Sequence, residues 1–194
     1  LVGQLDVLAF PFILLGLYYY QNKEYIKFII YFSIAVSFKL FPLFIFIPLL
    51  LLYEKNIIKI MYKTILALSF TIIAGIWFPQ NTMAADVKND IRNHFFEAFL
   101  GNKLPLYNCA VPLVIVLFGV ICVYCYVKQI ENQEEQYYYS IMIPLVVMFV
   151  VLVSFDSNPY WFVYLSPFLA MIMVYNSSKF HLLILFESIG MTGL

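Results

Sequence analysis

The chain alternates long apolar runs with short polar ones, and a ruler of about 20 apolar residues per membrane-spanning helix sorts the runs. Leu5 to Tyr20 is the first, closed by Gln21, Asn22, Lys23 and Glu24. Ile26 to Tyr53 follows, interrupted only by Lys39 and a few small polar residues, and then comes the polar, basic stretch Glu54 to Lys63. Thr64 to Phe78 is apolar, Pro79 to Pro105 mixed, and Leu106 to Val127 apolar again. Beyond Lys128 to Gln136 lie Tyr137 to Phe155, Tyr160 to Tyr175 and a run that opens at His181. Period-two alternation is missing from these runs, which sets a β-barrel aside and leaves helices.

The 28 residues from Ile26 to Tyr53 would make one helix about 42 Å long, against a hydrocarbon core of about 30 Å. Phe41 precedes Pro42, and a proline ring disfavours the helical region for the residue before it. A break beside Lys39, Leu40 and Phe41 is therefore expected. Two short helices joined by a tight turn replace one span, so the chain holds eight apolar segments, the last incomplete. Ile26 to Phe38 is about 20 Å long as a helix, too short to cross. The turn is thus expected below the outer surface, where non-helical backbone survives only when buried in protein or beside water. Lys39 then opens into an outward-facing recess.

The distribution of Lys and Arg favours this division, because cytoplasmic loops collect them. With two short helices, Lys23, Lys27, Lys55, Lys59, Lys63, Lys128 and Lys179 share the inner side, while Lys88, Arg92 and Lys103 lie outside. With one long helix the bias vanishes. The runs Tyr18 to Tyr20 and Tyr137 to Tyr139 then both fall at the inner boundary, as an aromatic belt does. Within the outer loop 79–105, Val87, Ile91, Phe95 and Phe99 recur every four residues among charges. This pattern predicts an amphipathic helix on the outer interface.

Composition narrows the class further. Of 194 residues 64% are hydrophobic and 11% charged, the latter under half of the roughly 25% found in soluble domains. With a mean hydropathy of +0.90, these values exclude a soluble enzyme, a disordered segment and a disulfide-stapled secreted domain. The expected fold class is all-α, a polytopic transmembrane helical bundle of seven to eight apolar segments forming a single domain over 1–194. Its location is a multi-pass integral membrane protein. The net charge is zero, which leaves no basic field for nucleic acid. Because it opens on Leu1 and closes inside an apolar run, the sequence reads as a fragment of a longer polypeptide.

Lys39 is the most informative candidate for chemistry, since an ionisable group within a membrane segment marks a functional site by default. Its ammonium suits an anionic headgroup, with snorkelling from a helix end as the plainer alternative. Asp6, in Gly3-Gln4-Leu5-Asp6, stands at the outer entrance of the first span, where a carboxylate also serves as ordinary helix-end compensation. Asp156-Ser157-Asn158-Pro159 lies on the same side and is equally a turn sequence. Cys122 and Cys125 sit one turn apart in an apolar helix with no His or carboxylate nearby to complete a metal site. His94 and His181 fall on opposite sides of the proposed membrane.

The strings GQLD, YYYQNKEY and IAVSFKLFPLFIFIPLLLLYEK, which span Gly3 to Lys55, resemble the bacterial membrane glycosyltransferases of the GT-C superfamily. They are most similar to relatives of the second mannosyltransferase of GPI-anchor synthesis. In that group a Gly-Gln-x-Asp string follows an outer loop, and a Lys follows an apolar helix in a Ser/Ala-Phe-Lys-Leu setting. Gln4, Asp6 and Lys39 occupy the matching positions. The resemblance implies a GT-C-like fold in the bacterial plasma membrane, with transfer of a sugar from a polyprenyl-phosphate donor to a lipid-linked or cell-surface glycan on the outer face. Gln4, Asp6, Lys39 and Asp156 would bind substrate, with membrane lipids as further partners and no cofactor or metal assigned. The family's catalytic carboxylate belongs to a first outer loop, expected upstream of Leu1, which leaves the fragment itself inactive. Its late His-Glu-Arg-Tyr type string is replaced by DSNPYW at Asp156 to Trp161. A secondary transporter or a lipid or polysaccharide flippase is the alternative, because such proteins also carry broken helices and midplane charges.

Overall fold

The computed structural model describes residues 8–77, 103–106, 109–154 and 164–175. Gln4, Asp6, Asp156, the amphipathic pattern from Val87 to Phe99 and the run from His181 lie outside them. Seven α-helices and one small hairpin make up the described residues. The helices are α1 (Ala9–Gln21), α2 (Tyr25–Phe38), α3 (Pro42–Tyr53), α4 (Ile57–Trp77), α5 (Leu113–Val127), α6 (Gln133–Ser154) and α7 (Ser166–Tyr175). Among the described residues, α6 alone is both long and apolar enough to cross a membrane, while α2, α3, α5 and α7 are shorter apolar helices.

Apolar side chains in rows along each helix bring the elements together around an aromatic core. Helix α2 lies between α1 and α4, and α3 packs on α5 and α6. Phe28, Phe32 and Phe46 are fully buried. Phe28 stacks on Phe46 with centroids 5.0 Å apart and tilts against Phe32 at 4.9 Å. The close approach of α1 to α2 is made at Gly16, where a Cβ would lie 2.5 Å from the Phe32 ring.

The ends of the helices follow from local chemistry that shortens the polar connections. Asn56 Oδ1 accepts the N–H groups of Ile58 and Lys59 at 3.0 and 3.3 Å, an N-cap that starts α4 seven residues before the expected Thr64. Asn132 Oδ1 accepts the Glu135 N–H at 2.7 Å and starts α6 at Gln133. Helix α1 ends in a Schellman motif, with the Glu24 N–H on the Tyr19 carbonyl (2.9 Å) and the Lys23 N–H on the Tyr20 carbonyl (3.1 Å). Lys23 takes the left-handed position of that motif, φ 62°, where glycine is the usual occupant.

Two expectations need correction. The break between α2 and α3 falls at Lys39, which is extended (φ −155°, ψ 149°), whereas Phe41 keeps helical dihedrals (φ −59°, ψ −32°) despite preceding Pro42. Pro42 occupies the first turn of α3, where its missing N–H costs nothing. The Phe41 carbonyl accepts the Phe44 N–H at 3.0 Å, and the Phe41 ring is held by Phe10 and Tyr164. The apolar run from Leu106 is not one helix either. Strand β1 (Lys103–Leu106) pairs antiparallel with β2 (Cys109–Pro112), Lys103 opposite Pro112, and α5 begins only at Leu113. Pro112, with ψ 130°, cannot continue a helix backwards, and a two-stranded ribbon tolerates Pro105 because each strand is an edge.

Gly16→Ala is expected to lower the thermal midpoint, at a cost of about 1 to 3 kcal/mol, because the enclosed Phe32 ring has no space to retreat. Gly119→Ala, whose added Cβ meets nothing within 4 Å, is expected to hold or raise it by up to about 1 kcal/mol through helix propensity. Parallel thermal melts check both, and equal midpoints for Gly16→Ala and wild type would rule out the α1–α2 contact described above.

Candidate functional site

The α2–α3 pair is pinned at its base and carries Lys39 at its tip. At the base, the rings of Tyr25 and Tyr53 stack 3.8 Å apart and nearly parallel. The 14 residues of α2 place the tip about 21 Å away. At the tip Lys39 is exposed, flanked by Phe38 and Leu40, which are 42% and 53% exposed. Phe12 of α1 stacks on Phe38 at 5.7 Å.

A cluster of rings gathers the start of α1 and the approach to α7 at the same tip. Phe41 lies 5.7 Å from Phe10 and from Tyr164, and Phe10 lies 5.4 Å from Tyr164 and 6.4 Å from Phe168. Gln4, Asp6 and Asp156 themselves lie outside the described residues. The arrangement offers one cation framed by exposed apolar side chains, the chemistry of an amphiphile with an anionic head.

The opposite end is dense in lysine and tyrosine. Lys55 Nζ donates to the carbonyls of Leu51 (2.7 Å), Cys125 (2.9 Å) and Lys128 (2.8 Å). Its three protons are all used, and they satisfy carbonyls at the C-terminal ends of both α3 and α5. Burial there pulls the Lys55 ammonium below the usual lysine value. The Tyr126 hydroxyl closes the clasp by donating to the Lys55 carbonyl at 3.0 Å. Gln136 is buried and donates to the Tyr20 carbonyl at 2.7 Å, while Gln21 donates to Ser140 Oγ at 2.8 Å. These bonds bring the two tyrosine runs, Tyr18 to Tyr20 and Tyr137 to Tyr139, to one end as expected.

Lys63 donates to Glu54 at 2.8 Å and lies 4.5 Å above the Tyr53 ring. That hydrogen bond holds the Glu54 carboxyl below the ordinary glutamate range. Lys128 pairs with Glu135, which raises the lysine's pKa, and Lys27 pairs with Glu24 at 2.5 Å. Lys23, Lys27, Lys55, Lys59, Lys63 and Lys128 thus share the end opposite Lys39, and Lys179 lies outside the described residues. The sequence pattern misses the Lys55 clasp, although a lysine two residues past an apolar helix is a recognised C-terminal cap signal.

The chain matches no family model, no curated protein and no solved structure.

Two outcomes test this end. Lys55→Met removes all three bonds to helix-end carbonyls, and a loss of about 1.5 to 3 kcal/mol in unfolding free energy is expected; a wild-type denaturation curve for that variant would show that the carbonyls are equally well served by water. For Glu54 the sign follows from its lowered pKa. Its contribution is complete above the unfolded glutamate value and is lost as the pH falls through the folded one. The thermal midpoint of Glu54→Gln is therefore expected to decline less than that of wild type on going from neutral pH to below about pH 4.5. Parallel decline of the two would disprove the assignment.

Proposed function

We propose that this chain forms the membrane body of a multi-pass glycosyltransferase of GT-C type. It takes a sugar from a polyprenyl-phosphate donor and hands it to a lipid-linked or cell-surface glycan at the outer face of a bacterial plasma membrane. The observation that carries the reading is the broken α2–α3 pair, with Lys39 at a tip shared by the start of α1 and by Tyr164. A helix pair too short to cross a bilayer is wasteful as a span, and it suits a site set below the surface.

Membrane embedding is supported by what the helices leave uncovered. Ile57, Ile58, Met61 and Ile65 of α4 are 59 to 79% exposed, as are Ile76 and Trp77 at its other end. Val120, Val123 and Val127 of α5 are 62 to 72% exposed. Apolar surface of that extent needs a lipid or protein partner. The exposed apolar side chains of α4 extend from Ile57 to Trp77, interrupted near its start by Lys59 and Lys63. The lysine-rich end then faces the cytoplasm and Lys39 the outside.

In this reading Lys39 attracts the donor phosphate and steadies it as it departs. A carboxylate takes the proton of the acceptor hydroxyl. Gln4, Asp6 and Asp156 are proposed to line the same outer site. Lys39→Met keeps the apolar stem and removes the charge, so a fall of roughly 5-fold to 100-fold in transfer rate per folded molecule is expected, with Lys39→Arg retaining part of the activity. The assay is transfer of labelled sugar from a polyprenyl-phosphate donor in membranes that carry the full-length gene product. Donor crossing the bilayer with no glycosidic product would instead establish the flippase or transporter alternative.

A further inference from the structure

At the end opposite Lys39 a cavity of about 300 Å³ opens between three connections of the chain. The α1–α2 turn contributes Lys23 and Tyr25, the end of α3 contributes Tyr53 and Lys55, and the α5–α6 connection contributes Glu131 and Asn132. Gln136, 3% exposed, forms part of the lining. The volume falls at the lower edge of small-molecule sites.

The lining has a surplus of donors. Tyr25 Oη receives the Gln136 amide at 3.5 Å, which leaves its own proton to give. Asn132 Oδ1 is taken by the Glu135 N–H, which leaves the Nδ2 protons. The Tyr53 hydroxyl is buried beside the Lys63 ammonium and sealed from the cavity, so it offers no donor there. Lys55 spends its three protons on carbonyls and adds charge without a free donor. Lys23 makes no ion pair among the described residues, because the neighbouring Glu24 is held by Lys27.

Two ammonium groups stand against the single carboxylate of Glu131, an excess of one positive charge (2 − 1 = 1). A pocket with unsatisfied donors and net positive charge selects an acceptor-rich anion. Lys23 is held at its rim by a left-handed backbone, φ 62°, a conformation that costs a lysine stability and a glycine nothing.

We infer that this cavity binds a phosphate monoester, held by the Lys23 ammonium, the Tyr25 hydroxyl and the Asn132 amide. The site goes beyond the proposed transfer reaction and lies on the other face of the molecule. Phosphatidic acid of the inner leaflet and a soluble phosphate ester share this chemistry.

Lys23→Gly separates binding from folding, since glycine relieves the left-handed strain while removing the charge. Its thermal midpoint is expected to rise by about 2 to 4 °C. Tyr25→Phe deletes one donor hydroxyl with the ring stack retained. Purified protein is titrated with inorganic phosphate at constant ionic strength. The same protein is also melted in vesicles of phosphatidylcholine with and without phosphatidic acid. Saturable stabilisation of wild type by inorganic phosphate, weakened about tenfold or more in both variants, supports a soluble ester. Stabilisation by phosphatidic acid alone, weakened in the same variants, supports the lipid. No saturable response to either probe, or a response undiminished in Lys23→Gly, overturns the inference.

Discussion

Three backbone carbonyls at the ends of two helices meet one ammonium, and the position of α3 depends on it. The carbonyls of Leu51, Cys125 and Lys128 are among those that helices leave unsatisfied at their C-terminal ends. Where such ends are packed together, water reaches them poorly and the helix dipoles repel. Lys55 answers both problems with one charge and three protons. Helix α3 also packs against α2, α4, α5 and α6, so fixing its lower end against α5 sets the frame from which the rest is hung.

With that end fixed, the α2–α3 pair is held at its base by the Tyr25–Tyr53 stack and at mid-height by Phe28 on Phe46. Little freedom remains for the tip. The turn at Lys39 is placed by the rings of Phe10, Phe41 and Tyr164, which come from three separate helical segments or their approaches. The turn that carries Lys39 is thereby positioned by apolar contacts, beside the exposed side chains of Phe38 and Leu40.

Much of this could be read from the sequence where one strong constraint acted. The length of Ile26 to Tyr53 and the proline at position 42 were sufficient to break the run beside Lys39. The period of apolar residues was sufficient for helix as the dominant class. Boundaries were harder, because Asn56 and Asn132 act as caps through side-chain oxygens that a hydropathy ruler does not weigh. The hairpin of β1 and β2 was hidden because Leu106 to Val127 is apolar apart from Asn108, and only Pro105, Asn108 and Pro112 distinguish its first part from helix. Phe41 defied the pre-proline preference through ring contacts to Phe10 and to Tyr164, the second over a hundred positions away, which no local rule can see. The lysine-rich end was legible as a count, whereas its chemistry depends on which carbonyls and rings meet there.

The two ends of the molecule use lysine in opposite ways. At the crowded end Lys27, Lys55, Lys63 and Lys128 each lie over a tyrosine ring, at 4.5 to 5.7 Å from its centroid, and three of them also pair with a glutamate. Such exposed or half-exposed pairs contribute little each, but the rings and carboxylates neutralise a charge density that would otherwise oppose packing of the loops. The paired lysines of this end therefore act as fasteners of the connections they border. Lys23 and Lys59 depart from the pattern, with neither a carboxylate partner nor a tyrosine ring beneath them among the described residues. Lys23 differs from Lys59 in its left-handed backbone, which closes the Schellman end of α1 and turns the chain into α2, so its place in the fold is set by its backbone rather than by its charge.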